Sequence, residues 1–227
     1  MNIKDLLQRK LQEFTLQHEA GDEKELLLKH KFILGVPASL VADQIAGRRK
    51  AKLKLPTWYA TKNIIYPPSV NLEQCSSEAT ATFKVELLKQ NIKGDFNKAV
   101  DLTGGFGIDS FFLSSLFKEV EYVEPDENLF EITKHNLTIL QEARGKKLEA
   151  RIHHHHTTAE KFLEAANGNY GLVYIDPSRR TKDNQKIFRL AHCVPDISQL
   201  QDTIFDKADV LLVKASPMLI YSMGSKS

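Results

Sequence analysis

Residues 99–110 read Ala-Val-Asp-Leu-Thr-Gly-Gly-Phe-Gly-Ile-Asp-Ser, a short apolar run that ends on Asp101 and breaks into three closely spaced glycines before a helical pattern resumes. A strand running into a glycine turn and then a helix is how doubly wound sheets open their ligand crevice. Gly104, Gly105 and Gly107 let the backbone approach a nucleotide-like group closely. Glu124 ends the next apolar run, in Val-Glu-Tyr-Val-Glu-Pro-Asp (120–126), 19 positions after Gly105. A carboxylate there accepts hydrogen bonds from ribose hydroxyls. Together these features predict an adenosine-containing cofactor.

Working outward, apolar strand candidates recur at 99–102, 120–123, 150–153, 172–175 and 210–213. Helical patterns lie between them near 109–117, 126–143 (behind a capping Asp126), 158–166 and 196–207. Strand and helix alternating in this way predict an α/β fold: a Rossmann-like, doubly wound parallel sheet covered on both faces. Upstream the pattern is helical, with candidates at 4–14, 23–34, 39–49 (Ser39 as cap) and about 76–90. Pro56, Pro67 and Pro68 break any helix between 55 and 68. The expected organisation is therefore an N-terminal helical domain over 1–68 and a cofactor-binding domain over 69–227.

Composition removes the other classes. The 227 residues carry 42% hydrophobic and 26% charged side chains with only 11 Gly and 8 Pro, an ordinary globular balance. No apolar run reaches the ~18 residues of a membrane helix, and the charged start MNIKDLLQRKLQEF is unlike a secretion signal, so a cytoplasmic protein is expected. Cys75 and Cys193 show no metal, redox or haem spacing. With 31 basic against 29 acidic residues the formal charge is +2, and any nucleic-acid affinity must come from local patches.

Gly105-x-Gly107-x-x-Ser110 also approximates a dinucleotide fingerprint. Two features speak against NAD. Asp101 lies just before the turn, where it repels a pyrophosphate but favours the ammonium and sulfonium of S-adenosylmethionine (SAM). The second is Asp176-Pro177-Ser178-Arg179-Arg180, which follows the strand at 172–175. An exocyclic base amine has a delocalised lone pair. The Asp176 carboxylate and the Pro177 carbonyl can accept its two hydrogens, localising that lone pair for attack on a methyl group.

These residues resemble the class I SAM-dependent methyltransferases over roughly 71–214, and within them the amino-methylating group whose fourth motif is Asp/Asn-Pro-Pro-aromatic. A closer similarity, carried by GRRKAKLKLPTW (47–58), IIYPPSVNLEQCSSEATATFK (64–84), DLTGGFGIDS and DPSRR, is to RNA methyltransferases with a THUMP-like region. The resemblance implies SAM as cofactor, RNA as partner and a helical N-terminal domain. It places Asp101, Thr103, Gly104, Gly105, Gly107 and Glu124 around SAM, Ala159 and Glu160 by the adenine, and Ser76, Ser77 and Thr80 over the methionine end. The motif departs from the amino-methylating pattern at Ser178 and at Arg179, where arginine can stack on a base or bind phosphate, so Arg179 joins Asp176 and Pro177 as a candidate catalytic residue. It also implies a further helix and two strands after 213, where only a short tail follows. An exposed edge at 210–213, open to dimer pairing, is expected.

Two weaker signals remain. Arg48, Arg49, Lys50, Lys52 and Lys54 put five positive charges in seven residues, followed by Trp58 and Tyr59, a candidate RNA-binding patch. His153 to His156 continue a strand, so alternate histidines share a face, but no carboxylate or cysteine is spaced to complete a metal site and none is expected. Asp109 and Ser110 read as a helix cap. A methyltransferase for a small molecule or protein, and a SAM- or RNA-binding module without turnover, stay open as alternatives.

Overall fold

A computed structural model describes residues 3–92, 96–145, 151–177 and 194–214. The N-terminal part packs α1 (Ile3–Leu6), α2 (Arg9–Gln17) and α3 (Glu23–Lys29) around α4 (Ala38–Lys54). Between α3 and α4 lies a two-stranded hairpin, β1 (Phe32–Ile33) with β2 (Val36–Pro37). The helix expected to run to Leu34 stops at Lys29 because Leu34 and Gly35 both take positive φ, at 51° and 83°, the turn that joins two short antiparallel strands. Conversely α4 runs five residues past the expected Arg49. Pro56, read as a breaker, instead opens the short helix α5 (Pro56–Ala60), where its missing N–H is no loss.

Five parallel strands form the second part: β3 (Lys98–Asp101), β4 (Glu119–Val123), β5 (Arg151–His155), β6 (Leu172–Ile175) and β7 (Leu211–Val213), in the order β5-β4-β3-β6-β7. Helices α6 (Ser69–Gln74) and α7 (Glu78–Asn91) precede the sheet. The crossovers carry α8 (Ile108–Leu113), α9 (Glu127–Arg144), α10 (Ala159–Ala165) and α11 (Ile197–Lys207). Alternation along each strand divides the core. Ala99, Val120, Tyr122, Leu172 and Tyr174 face a cluster with α7, α8 and α9, whereas Val100, Val123, Val173 and Ile175 face one with α10 and α11. Among the described residues β7 is an edge strand, as expected, and is half-buried.

The boundary expected near residue 68 does not separate two cores. Leu6, Val41, Ile45 and Trp58 belong to the same buried cluster as Phe106, Phe111, Tyr122 and Leu137. Trp58 meets Phe111 edge-on with centroids 4.9 Å apart. Gln44 exchanges two 2.8 Å hydrogen bonds with the Tyr66 backbone, and Asn136 on α9 does the same for Ile65 at 2.9 and 2.7 Å. The N-terminal helices and one face of the sheet thus share a single interior.

Candidate functional site

From β3 the chain moves to β4 and β5 on one side, then returns to place β6 on the other. This makes the β3–β6 boundary the topological switch point, where crevices open at the carboxyl ends of strands. The loop after β3 and the residues after β6 meet there directly: the Asp176 backbone N–H donates to Thr103 Oγ1 at 2.7 Å.

The three glycines are required for different reasons. A Cβ on Gly104 would sit 2.2 Å from the Tyr122 ring, and one on Gly107 would sit 2.6 Å from Thr133 Cγ2. Gly105 has φ +54°, and a Cβ there would meet nothing closer than the Thr103 carbonyl at 3.7 Å, so it faces open space. Its carbonyl accepts from Tyr122 OH at 2.8 Å and Thr133 Oγ1 at 3.0 Å, and its N–H donates to Glu124 Oε2 at 2.9 Å. Glu124 Oε1 accepts from the Asp126 N–H at 2.8 Å, and burial raises the pKa of this carboxyl. The carboxylate that follows β4 thus lies against the open glycine.

Asp101 is placed differently from the expectation. It is 1% exposed, and both oxygens are used inside the turn: Oδ2 accepts from Ser110 Oγ at 2.7 Å and Oδ1 from the Thr103 N–H at 3.1 Å. Burial, and then the neighbouring Asp109 charge, push its pKa up to about 7. Asp101 shapes the loop rather than offering charge to a ligand. Ser110 is accordingly its donor and not a cap, since α8 begins after Gly107 without a side-chain cap.

On the other side of the switch point, Asp176 Oδ2 lies 2.5 Å from Lys214 Nζ. Below it lies a cluster that sequence reasoning missed. Lys84 Nζ lies 2.5 Å from Asp109 Oδ1, and it donates to Tyr174 OH at 2.8 Å and to Ser76 Oγ at 3.0 Å. Ser76 Oγ and Tyr174 OH both donate to Asp109 Oδ2, at 2.8 and 2.9 Å. Burial lowers the Lys84 pKa, opposed by Asp109, and raises that of Tyr174. The available signal was Lys84 itself, a charge on the buried stripe Ala81, Lys84, Val85, Leu88 of α7. Tyr174 hides within an apolar strand, and Lys214 simply follows one.

The other predicted residues divide. Ser76 reaches the crevice through this cluster, whereas Ser77 and Thr80 cap α7, with the Thr80 N–H donating to Ser77 Oγ at 3.1 Å. Ala159 and Glu160 open α10 after β5, behind the cap Thr158, and Ala159 belongs to the same buried cluster as Val100 and Val123. Pro177 is buried beside Asp176; Arg179, Arg180 and Cys193 lie outside the described residues.

The basic run is not a free patch. Arg48 pairs with Glu19 at 2.7 Å and lies over the Tyr59 ring. Arg49 pairs with Glu23, Lys50 with Glu73 at 2.5 Å, and Lys54 donates to the Leu72 and Glu73 carbonyls at the end of α6 at 2.7 and 2.9 Å. Of the five, Lys52 alone has no such partner among the described residues. The run braces α3 and α6 against α4, and α6 leads straight to Ser76. Two of the four histidines are also engaged: His155 lies 2.5 Å from Glu121 and His156 Nε2 lies 3.1 Å from the Pro125 carbonyl, while burial takes His154 down to about 4. No group of three or more metal-binding side chains occurs among the described residues, nor does any helix long and apolar enough to cross a membrane.

No family model and no curated protein matches this sequence. Among solved structures, the chain is similar to a "putative methyltransferase" from Porphyromonas gingivalis W83, with 25% identity and a TM-score of 0.75 over 96% of this chain and 50% of that one. The chain shares that protein's Rossmann-like methyltransferase fold. It spans about half of that protein's length. Looser likenesses include a "putative RNA methyltransferase" from Pyrococcus horikoshii, with 20% identity and a TM-score of 0.46 over 73% of this chain and 75% of that one. Another is an O-methyltransferase of Streptomyces achromogenes in complex with SAM, with 11% identity and a TM-score of 0.45 over 62% and 56%. These two are too loose to bear on chemistry.

Proposed function

We propose that the chain is a SAM-dependent methyltransferase acting on RNA, with a base amine as acceptor. The observation that carries this reading is the pairing of two carboxylates across one switch point: Glu124 against the open, left-handed Gly105, and Asp176 at the end of the adjoining β3–β6 boundary. SAM fits the first half, since Gly105 leaves room for a close backbone approach and Glu124 stands where ribose hydroxyls donate. Bound there, SAM supplies an electrophilic methyl group.

The chain's own residues do the rest. Thr103, Gly104, Gly105 and Gly107 line the cofactor, with Asp101 holding their loop in shape. Ala159 and Glu160 flank the adenine, while the Ser76 to Thr80 segment covers the methionine end. Asp176 and the Pro177 carbonyl accept the two amine hydrogens and so present the nitrogen lone pair, and the carboxylate stabilises the positive charge that develops on nitrogen. Arg179 is assigned to the RNA, by stacking or by phosphate contact. RNA as substrate rests on the resemblance of DPSRR and its flanking motifs to the RNA methyltransferases with a THUMP-like region. A small-molecule or protein acceptor is the second reading, favoured by the engagement of Arg48, Arg49, Lys50 and Lys54 in internal contacts.

The test is calorimetric titration with SAM, with NAD as control, joined to transfer of labelled methyl groups from SAM to total RNA. Glu124→Ala is expected to weaken SAM binding by ten- to a hundredfold. Asp176→Ala is expected to leave it unchanged while abolishing transfer. Equal loss of SAM binding in both variants, or preferential NAD binding, overturns the assignment; label appearing in protein or small molecules instead of RNA selects the second reading.

A further inference from the structure

The register of the sheet sets one side chain beside Asp176. Strand β7 pairs with β6 so that Val213 stands opposite Ile175, and the Lys214 N–H donates to the Ile175 carbonyl at 2.9 Å. The next residues along the two parallel strands, Lys214 and Asp176, are therefore neighbours, and their side chains meet at 2.5 Å. Lys214 Nζ also lies 3.4 Å from Ser76 Oγ, the hydroxyl held by Lys84 and Asp109. Asp176 is thus fixed at two points, by its N–H on Thr103 and by Oδ2 on Lys214, while Oδ1 has no partner among the described residues.

We infer that Lys214 is a positioning residue for Asp176: it holds Oδ2 and keeps the carboxylate ionised, so that Oδ1 and the Pro177 carbonyl face the acceptor. This rests on the reading of Asp176 as the group that takes the acceptor's hydrogens. A structural role alone explains the pair poorly. Both side chains are about 30% exposed at the crevice, where ion pairs add little stability, and the buried Lys84–Asp109 pair already ties α7 to α8. Burial drives the Asp176 pKa up, Asp109 adds to that, and Lys214, then Lys84, oppose it. The Tyr174 hydroxyl and Ser76 complete the polar groups around the cluster. Without Lys214 the carboxyl would drift toward the protonated form, which donates where the acceptor amine needs an oxygen to accept.

The experiment is a carbon-detected NMR titration of the full chain labelled at the aspartate carboxyl carbons, with Asp176→Asn used to assign the resonance. Lys214→Met should move the Asp176 midpoint up by about one pH unit or more, a tenfold gain in proton affinity, and Lys214→Arg should restore it. In the labelled-methyl assay the acid limb of the transfer-rate profile of Lys214→Met should move up in pH with that midpoint, with SAM affinity unchanged, and Arg should restore it. An Asp176 midpoint that does not move in Lys214→Met overturns the inference whatever the activity. So does a moved midpoint with an unaltered transfer-rate profile. A moved midpoint in a protein that methylates no RNA counts for the Lys214–Asp176 pair and against the RNA reading.

Discussion

At the amino ends of its strands the sheet carries Arg151 and Glu119 3.1 Å apart, with side chains 72% and 35% exposed, beside a hollow of ≈ 770 Å³ lined by Asn97, Lys98, Lys118, Glu119, Arg151 and Asn169. At the carboxyl ends Lys84 and Asp109 pair at 2.5 Å with only 11% and 12% of their side chains exposed, next to a cavity barely large enough for one water. The larger hollow is lined by that exposed pair and by Lys98, which reaches down to the buried Glu121 at 2.7 Å. The smaller one holds charges that were taken out of water, which a fold tolerates only when each is matched by good partners. Desolvated unlike charges, and not hollow volume, single out the carboxyl end of the sheet, where the proposed site lies.

That contrast can be broken by experiment. Asp109→Ala strands Lys84 as a buried, unmatched cation, so unfolding free energy should fall by about 3–5 kcal/mol in denaturant titration. A loss below about 1 kcal/mol would put this cluster on a level with the amino-end pairs. Gly104→Ala should cost about 1–3 kcal/mol, because the new methyl meets the Tyr122 ring, itself anchored by its hydroxyl on the Gly105 carbonyl. An unchanged melting temperature would mean that this ring can retreat.

A graded effect should follow from Asp101, whose pKa is about 7 in the fold against an ordinary 3.8. The fold favours its protonated form, so its contribution is present below pH 3.8 and is lost as pH rises through about 7. Asp101→Asn, which cannot ionise, should therefore gain stability relative to the wild type across that window. A melting-temperature difference that stays flat with pH would show that the carboxyl does not titrate there. Smallest of all, Glu119→Gln at the amino end should change stability by less than about 1 kcal/mol, and high salt should erase the difference.

The strands were legible because a sheet covered on both faces needs uninterrupted apolar runs. The ends of β3, β4, β6 and β7 fall within one residue of the expected ones, and Asp126 caps α9 as read. The carboxylates at 124 and 176 were legible for a related reason, since a charge that ends an apolar strand has to face a crevice or water. What was not legible depended on partners far away in the chain. Nothing near Arg48 announces Glu19, and nothing near Lys84 announces Tyr174, 90 residues on. The basic run therefore looked like a ligand surface when Arg48, Arg49 and Lys50 were already paired with carboxylates. The hairpin at 32–37 was obscured by Leu34 and Phe32, apolar residues at spacing that suits a helix equally well.

The single interior has a consequence for how the protein is made. Leu6, Val41 and Trp58 are synthesised before Phe111, Leu137 and Tyr174, which belong to the same buried cluster. The segment before residue 68 is therefore synthesised before the partners of its apolar faces. Pauses in translation between residues 68 and 174 should therefore lower the yield of native protein more than pauses after residue 213.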